Sequence, residues 1–221
     1  MNRLFLALSI GICVALVPGS LGRAQSPAAD QNPLNVRLIW QTQSNLCWAA
    51  SAEMIMNFAK HDVLQCVQAS RLCRAQGLGP VDCCQSPKIK SCNQTGYPSF
   101  CQFQFESKCT SGQALSWCAV MDQINHKKPF AFAWVFENGD GHAAGNAHMM
   151  VAFGYVIKNG VDWLFVNDPL PENQGSTWIM PYDYYVRMPG HHGHDNDYYD
   201  IAYNPETQCP SNQCGAPKQC E

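Results

Sequence analysis

Between residues 47 and 60 apolar side chains recur at three- and four-residue spacing. Cys47, Ala50, Met54 and Phe58 fall on one face, which predicts an amphipathic helix. Ser44 and Asn45 stand just ahead of it as candidate N-caps. Residues 36–40 read as a brief extended run. A short helix is expected within residues 63–75, and another over 111–128, opened by Ser111 and followed by Pro129. After Pro129 the period changes from about 3.6 to 2. Residues 130–136 alternate large and small, so Phe130, Phe132, Trp134 and Phe136 read as core positions of a strand. Residues 148–156, 162–167 and 178–186 predict three further strands, and Asn159-Gly160 is a hairpin turn. Helices first and antiparallel strands second predict an α+β fold.

The rest of the chain divides by composition. Arg3, an apolar run over residues 4–17, the break at Pro18-Gly19 and small residues at Gly22 and Ala24 predict a secretory signal peptide over residues 1–24. That run is too short to span a bilayer. Residues 25–36 are a polar, flexible lead-in. Residues 37–204 read as one domain, with a cysteine-rich, Gly/Pro-interrupted stretch at 61–110. Residues 205–221 form a cysteine-containing tail. Loss of the signal removes Arg3 and Arg23 and no acid, so the net charge moves from −3 to −5. That balance argues against nucleic acid as a partner. After signal cleavage no membrane association is expected, and a secreted or periplasmic monomer is.

Thirteen cysteines occur, of which Cys13 lies in the signal segment. The other twelve, in an exported chain, predict disulfides. No Cys-x-x-Cys pair occurs, so neither a zinc site nor any other metal or cofactor is expected. Twelve is even. Six disulfides would consume Cys47, whereas a free Cys47 demands a second unpaired thiol. Cys118, on an apolar helix face, is the candidate for a buried inert one.

The chemistry concentrates in three short blocks. Gln41 precedes Cys47-Trp48-Ala49-Ala50, His148 opens the apolar run to Tyr155, and Asp168 follows Val166-Asn167 and precedes Pro169. A thiol attacks only as thiolate, and the N–H groups at a helix N-terminus and a nearby imidazolium both stabilise that anion. A carboxylate fixes the imidazole's tautomer. Asn167 rivals Asp168, because adjacent strand residues face opposite ways and only one can meet His148. Gln43 rivals Gln41. His191-His192-Gly193-His194-Asp195 has a metal-like composition but sits in a Gly/Asp/Asn-rich stretch that reads as a loop with solvent-exposed side chains. His142 could border a cleft. Asn93-Gln94-Thr95 is a glycosylation sequon.

The segments QTQSNLCWAASAEMIMNF, AHMMVAFGY and WLFVNDP resemble papain-like cysteine peptidases, above all compact bacterial secreted and effector members. The resemblance implies a helical, disulfide-braced lobe, an antiparallel sheet lobe and an active site in the cleft between them. It implies Cys47 as nucleophile, His148 as base, Asp168 as the orienting acid and Gln41 as an oxyanion-hole donor, with a peptide or protein as substrate. It covers three blocks from Gln41 to Asp168. There are departures. Ser44-Asn45-Leu46 replaces the plant-type segment before the nucleophile, and 101 residues separate Cys47 from His148, against about 130 to 150 in papain-type enzymes. The expectation is a secreted cysteine endopeptidase. Its rivals are a transpeptidase or amidase on the same fold, and an inactive disulfide-rich binding protein.

Overall fold

The computed structural model describes residues 33–138 and 143–209. The expected signal segment, most of the lead-in, His142, Cys214 and Cys220 lie outside the described residues. The elements in chain order are α1 (Cys47–Phe58), α2 (Gln65–Ala75), two short 3-10 turns (Lys90–Cys92 and Phe100–Phe103), β1 (Phe105–Cys109), α3 (Trp117–Asn125), β2 (Phe130–Glu137), β3 (Ala143–Lys158), β4 (Val161–Asp168), β5 (Ser176–Pro181), α4 (Tyr182–Val186) and β6 (His192–Tyr203). The strands form one sheet in the order β1-β6-β2-β3-β4-β5. Every neighbouring pair is antiparallel. The fold is therefore α+β. Asn159 and Gly160 both take positive φ, 54° and 75°, as a two-residue type I′ hairpin between β3 and β4 requires.

Helix α1 packs on β3 and β2 on one side and on α2 on the other. That position explains why Trp48 through Met56 are all buried, rather than one stripe of an amphipathic helix. Its interior polar groups are satisfied. Glu53 accepts the Gln65 backbone N–H at the start of α2, and Gln68 Nε2 donates to Ala49 O. Burial raises the Glu53 carboxyl above its ordinary range. Gln65 in turn holds the chain ahead of α1, donating to Trp40 O and accepting from Thr42 N.

Several sequence expectations are corrected. Residues 36–40 join no strand, although Leu34 N–H donates to Phe153 O at 2.8 Å. There the lead-in crosses Gly154 so closely that a Cβ would stand 2.8 Å from Pro33 Cα. The third helix starts at Trp117, not Ser111, and its N-cap is Ser116, which accepts from Ala119 N. The residues before it are held to β6, with Thr110 N on Asp197 O and Leu115 N on the Asp197 carboxylate. Strand β1, unforeseen in the cysteine-rich stretch, pairs with β6 at the sheet edge. The run over 178–186 is strand only to Pro181 and then turns into α4.

The histidine-rich run is not a loop. From His192 onward it belongs to β6, because β2 offers an edge to pair with, Phe136 facing His192 and Trp134 facing His194. His192 is fully buried and stacks on Trp134 at 3.7 Å, and its Nε2–H donates to Tyr184 O at 2.8 Å. Burial lowers its basicity. His194 meets the buried Asp197 carboxylate at 2.9 Å. Asp195 is the extra residue where the β2–β6 register slips between Ala133 and Trp134, a bulge that re-aims a side chain.

Disulfides join Cys66 to Cys84, Cys83 to Cys92 and Cys101 to Cys209, and Cys109 is also disulfide-bonded. The free thiols among the described residues are Cys47, Cys73 and Cys118. Cys118 is exposed, not buried as expected, and Cys73 is the buried one. The sulfurs of Cys73, Cys83 and Cys92 lie within 4.8 Å of one another, but two of the three are already joined. No described helix is long and apolar enough to cross a membrane.

Candidate active site

Cys47 is the first residue of α1, with Leu46 at the cap position and no side chain capping the helix. The expected caps are engaged elsewhere. Asn45 N donates to Asn93 Oδ1 at 2.9 Å, and Ser44 Oγ accepts from Asn93 Nδ2 at 3.0 Å. The first-turn N–H groups, which have no partner within a helix, are thus left without a side-chain acceptor where the thiol sits. One turn further on, buried Ser51 donates to Met149 O at 3.1 Å. That bond ties the helix of Cys47 to the strand residue next to His148.

On β3 and β4, Val151 stands opposite Asn167. Opposed residues in an antiparallel pair share a face, and successive residues along each strand switch faces. His148, three residues from Val151, and Asp168, one from Asn167, therefore share the other face. His148 Nε2 lies 2.7 Å from Asp168 Oδ1. Asn167 points away and is buried, donating to Val36 O and accepting from Thr177 Oγ1. Asp168 Oδ1 also accepts the Leu170 backbone N–H at 2.8 Å, which holds the carboxylate in place.

His148 is 8% exposed at its side chain. Burial pulls its basicity down, but hydrogen bonds to Asp168 and Cys47 and the negative charge of both raise it, on balance, to about 9. With Nε2 on the carboxylate, Nδ1 is the ring nitrogen left for the thiol. Cys47, His148 and Asp168 are therefore brought together as thiol, imidazole and carboxylate.

Gln41 lies close by on the loop ahead of α1, fully buried. Its Nε2 donates to Gln43 O and Ser44 O, both at 2.9 Å, while Oε1 is buried without a partner. Turning the amide over would set oxygen against two carbonyls, so this orientation is the favourable one. Its backbone is pinned on both sides, N–H to Pro169 O and carbonyl to Asn173 N. Gln43 contributes a carbonyl acceptor.

The thiol faces a cleft of about 550 Å³. Ser44, Asn45, Trp48, Thr95, Gly96 and Tyr97 form its helical wall, and Ala133, Phe136, Ala147, His148, Met149 and Leu170 its sheet wall. Phe136 is thus a cleft residue rather than core. Tyr97 donates to Asp195 Oδ2 at 3.1 Å, so the β6 bulge braces the helical wall. Ser51 and Tyr97 belong to no motif, and Asn93 and Asp195 enter the sequence only as parts of a glycosylation sequon and a histidine-rich run. Only Ser51 leaves a local signal, since it lies four residues after Cys47, on the same face of α1.

The Peptidase_C39 like family model matches residues 33–188 of the chain. Comparison with curated proteins found no matching sequence. Similar solved structures include the digestive procathepsin L 3 of Tenebrio molitor larval midgut, at 12% identity and TM-score 0.44, aligned over 80% of this chain and 71% of that one. Another comes from work on the mite allergens Blo t 1 and Der p 1, at 11% identity and TM-score 0.46, over 81% and 73%. Superpositions that loose add no weight, and the assignment rests on the family match. The match spans most of the chain and takes in Cys47, His148 and Asp168: the chain belongs to the Peptidase_C39 like family and is a cysteine peptidase.

Proposed function

We propose that the protein is a secreted endopeptidase that cleaves peptide bonds through Cys47, His148 and Asp168. The observation that carries this reading is His148, bonded to Asp168 on one side and to Cys47 on the other, where an uncapped helix opens onto the cleft. The thiol cedes its proton to His148, and the thiolate attacks the scissile carbonyl carbon. The carbonyl oxygen gains the negative charge and accepts hydrogen bonds from the Cys47 backbone N–H and from Gln41 Nε2, one of whose hydrogens is redirected from a loop carbonyl. The intermediate collapses as His148 protonates the leaving amine, which leaves a thioester. Water, deprotonated by His148, then attacks the thioester and releases the acid and the thiol. Export is supported by the signal-like residues 1–24 and by the disulfides, which persist in oxidising compartments.

A fluorogenic casein assay tests the reading. Wild-type protein should release fluorescence and Cys47→Ala should not. Loss of casein cleavage in both, or its survival in Cys47→Ala, removes the assignment. Product mass spectrometry with added amine separates hydrolysis from transfer.

A further inference from the structure

Asn93 reaches from the disulfide-braced segment to the turn that carries Gln41 on one side and Cys47 on the other. Its Oδ1 accepts the Asn45 backbone N–H at 2.9 Å, its Nδ2 donates to Ser44 Oγ at 3.0 Å, and its carbonyl accepts Asn45 Nδ2 at 3.0 Å. The amide's orientation follows from its partners, since reversing it would set a donor against the Asn45 N–H. Ser44 O, in the same turn, accepts Gln41 Nε2. No side chain caps α1, so the grip on this turn comes from outside it.

The gripping residue is itself fixed. Asn93 directly follows Cys92, a fully buried half of the Cys83–Cys92 disulfide. Its own N–H donates to Lys90 O. The next residue, Gln94, accepts Trp48 Nε1 through its carbonyl and donates to Ser91 O. Both side-chain atoms of the asparagine that opens the glycosylation sequon are thus engaged at the nucleophile loop.

We infer that Asn93 is a positioning residue for oxyanion stabilisation. By holding Ser44 and Asn45, it sets the distance between the Gln41 amide and the Cys47 N–H, the two donors that must converge on one oxygen. The inference rests on the peptidase reading above. Its consequence is selective. Peptide hydrolysis needs the oxyanion donors, whereas alkylation of Cys47 by iodoacetamide needs only the thiolate.

The test compares wild type, Asn93→Ala and Asn93→Asp in two assays, casein hydrolysis and iodoacetamide alkylation mapped to Cys47, with rates expressed per alkylatable Cys47. A misplacement of about 1 Å can cost roughly a hundredfold in rate. Asn93→Ala should therefore lower kcat by roughly ten- to a hundredfold with KM within about threefold. Its alkylation rate at Cys47 should stay within about threefold of wild type. Asn93→Asp, which keeps the acceptor for Asn45 N–H, should fall between the two, and serves where Asn93→Ala does not fold. A kcat per alkylatable Cys47 equal to wild type, or a rise in KM alone, overturns the inference. So does an equal fall in hydrolysis and alkylation, which would make Asn93 a support for the thiol itself. An unreactive Cys47 in the wild type is a different failure, that of the peptidase reading, and the positioning role falls with it.

Discussion

His148 and Asp168, on neighbouring strands of the sheet, meet at 2.7 Å because the Val151–Asn167 register turns both to the face that Asn167 avoids. A slip of one residue would bring Asn167 round in place of Asp168. Against the pull of burial, the hydrogen bonds and charge of Asp168 and Cys47 raise His148 to about 9, from an ordinary value of 6.5. The proton that must reach the leaving amine is therefore held through neutral pH. Hydrolysis should persist past pH 8 and fall as pH rises through about 9. A pH–rate profile checks this. The linked stability has the same sign: a folded-state value above the unfolded one stabilises fully below about 6.5 and is lost as pH rises through about 9. Asp168→Asn keeps an acceptor but removes the charge, so its alkaline limb should move to lower pH. An unmoved limb would detach Asp168 from the titration.

Gln41→Ala should lower kcat by about a hundred- to a thousandfold, the usual cost of losing one oxyanion donor. Because Gln41 Nε2 donates to loop carbonyls and not to the thiol, alkylation of Cys47 should hold. Steady-state kinetics beside an alkylation time course separates the two, and a normal kcat would take Gln41 out of the mechanism.

Ser51→Ala removes the one side-chain bond that α1 makes to the β3 backbone at Met149. A net loss of about 1 kcal/mol in stability is expected for a neutral hydrogen bond. Hydrolysis should fall by more than that loss of folded protein explains, since helix and strand carry Cys47 and His148 separately. Urea unfolding paired with kinetics on the folded fraction measures both.

The Cys101–Cys209 disulfide spans 108 residues and fixes the chain after β6 to the segment before β1. Closing a loop of that size is worth about 4 to 5 kcal/mol by the chain-entropy account. The double variant Cys101→Ser/Cys209→Ser should lose most of that in chemical denaturation. It should lose far less activity at low temperature, because neither sulfur borders the cleft.

The parts of the site that depend on local pattern could be read in the chain. Cys47 and Trp48 announce a helix start, His148 heads the apolar part of a strand that in the fold begins earlier, at Ala143, and Asn159-Gly160 fixes the hairpin that brings β4 back beside it. What depends on distant pairing could not. The histidine-rich run became part of β6 because β2 offered an unpaired edge, an event that no residue near His191 encodes. The third helix lost its first turn because Thr110, Gly112 and Leu115 are bonded to β6. Asn93 looks like a modification sequon until the fold lays it across Ser44 and Asn45.

The most direct measurement is the order in which Cys47 and Cys118, the solvent-reachable free thiols among the described residues, react. Cys118 is exposed and has no imidazole partner among the described residues, whereas Cys47 is only partly exposed and is bonded to His148. Iodoacetamide at mildly acidic pH, followed by peptide mass mapping, should find Cys47 alkylated first and fast, with Cys118 far behind. Labelling of Cys118 ahead of Cys47, or recovery of Cys47 joined to another cysteine, would contradict the account.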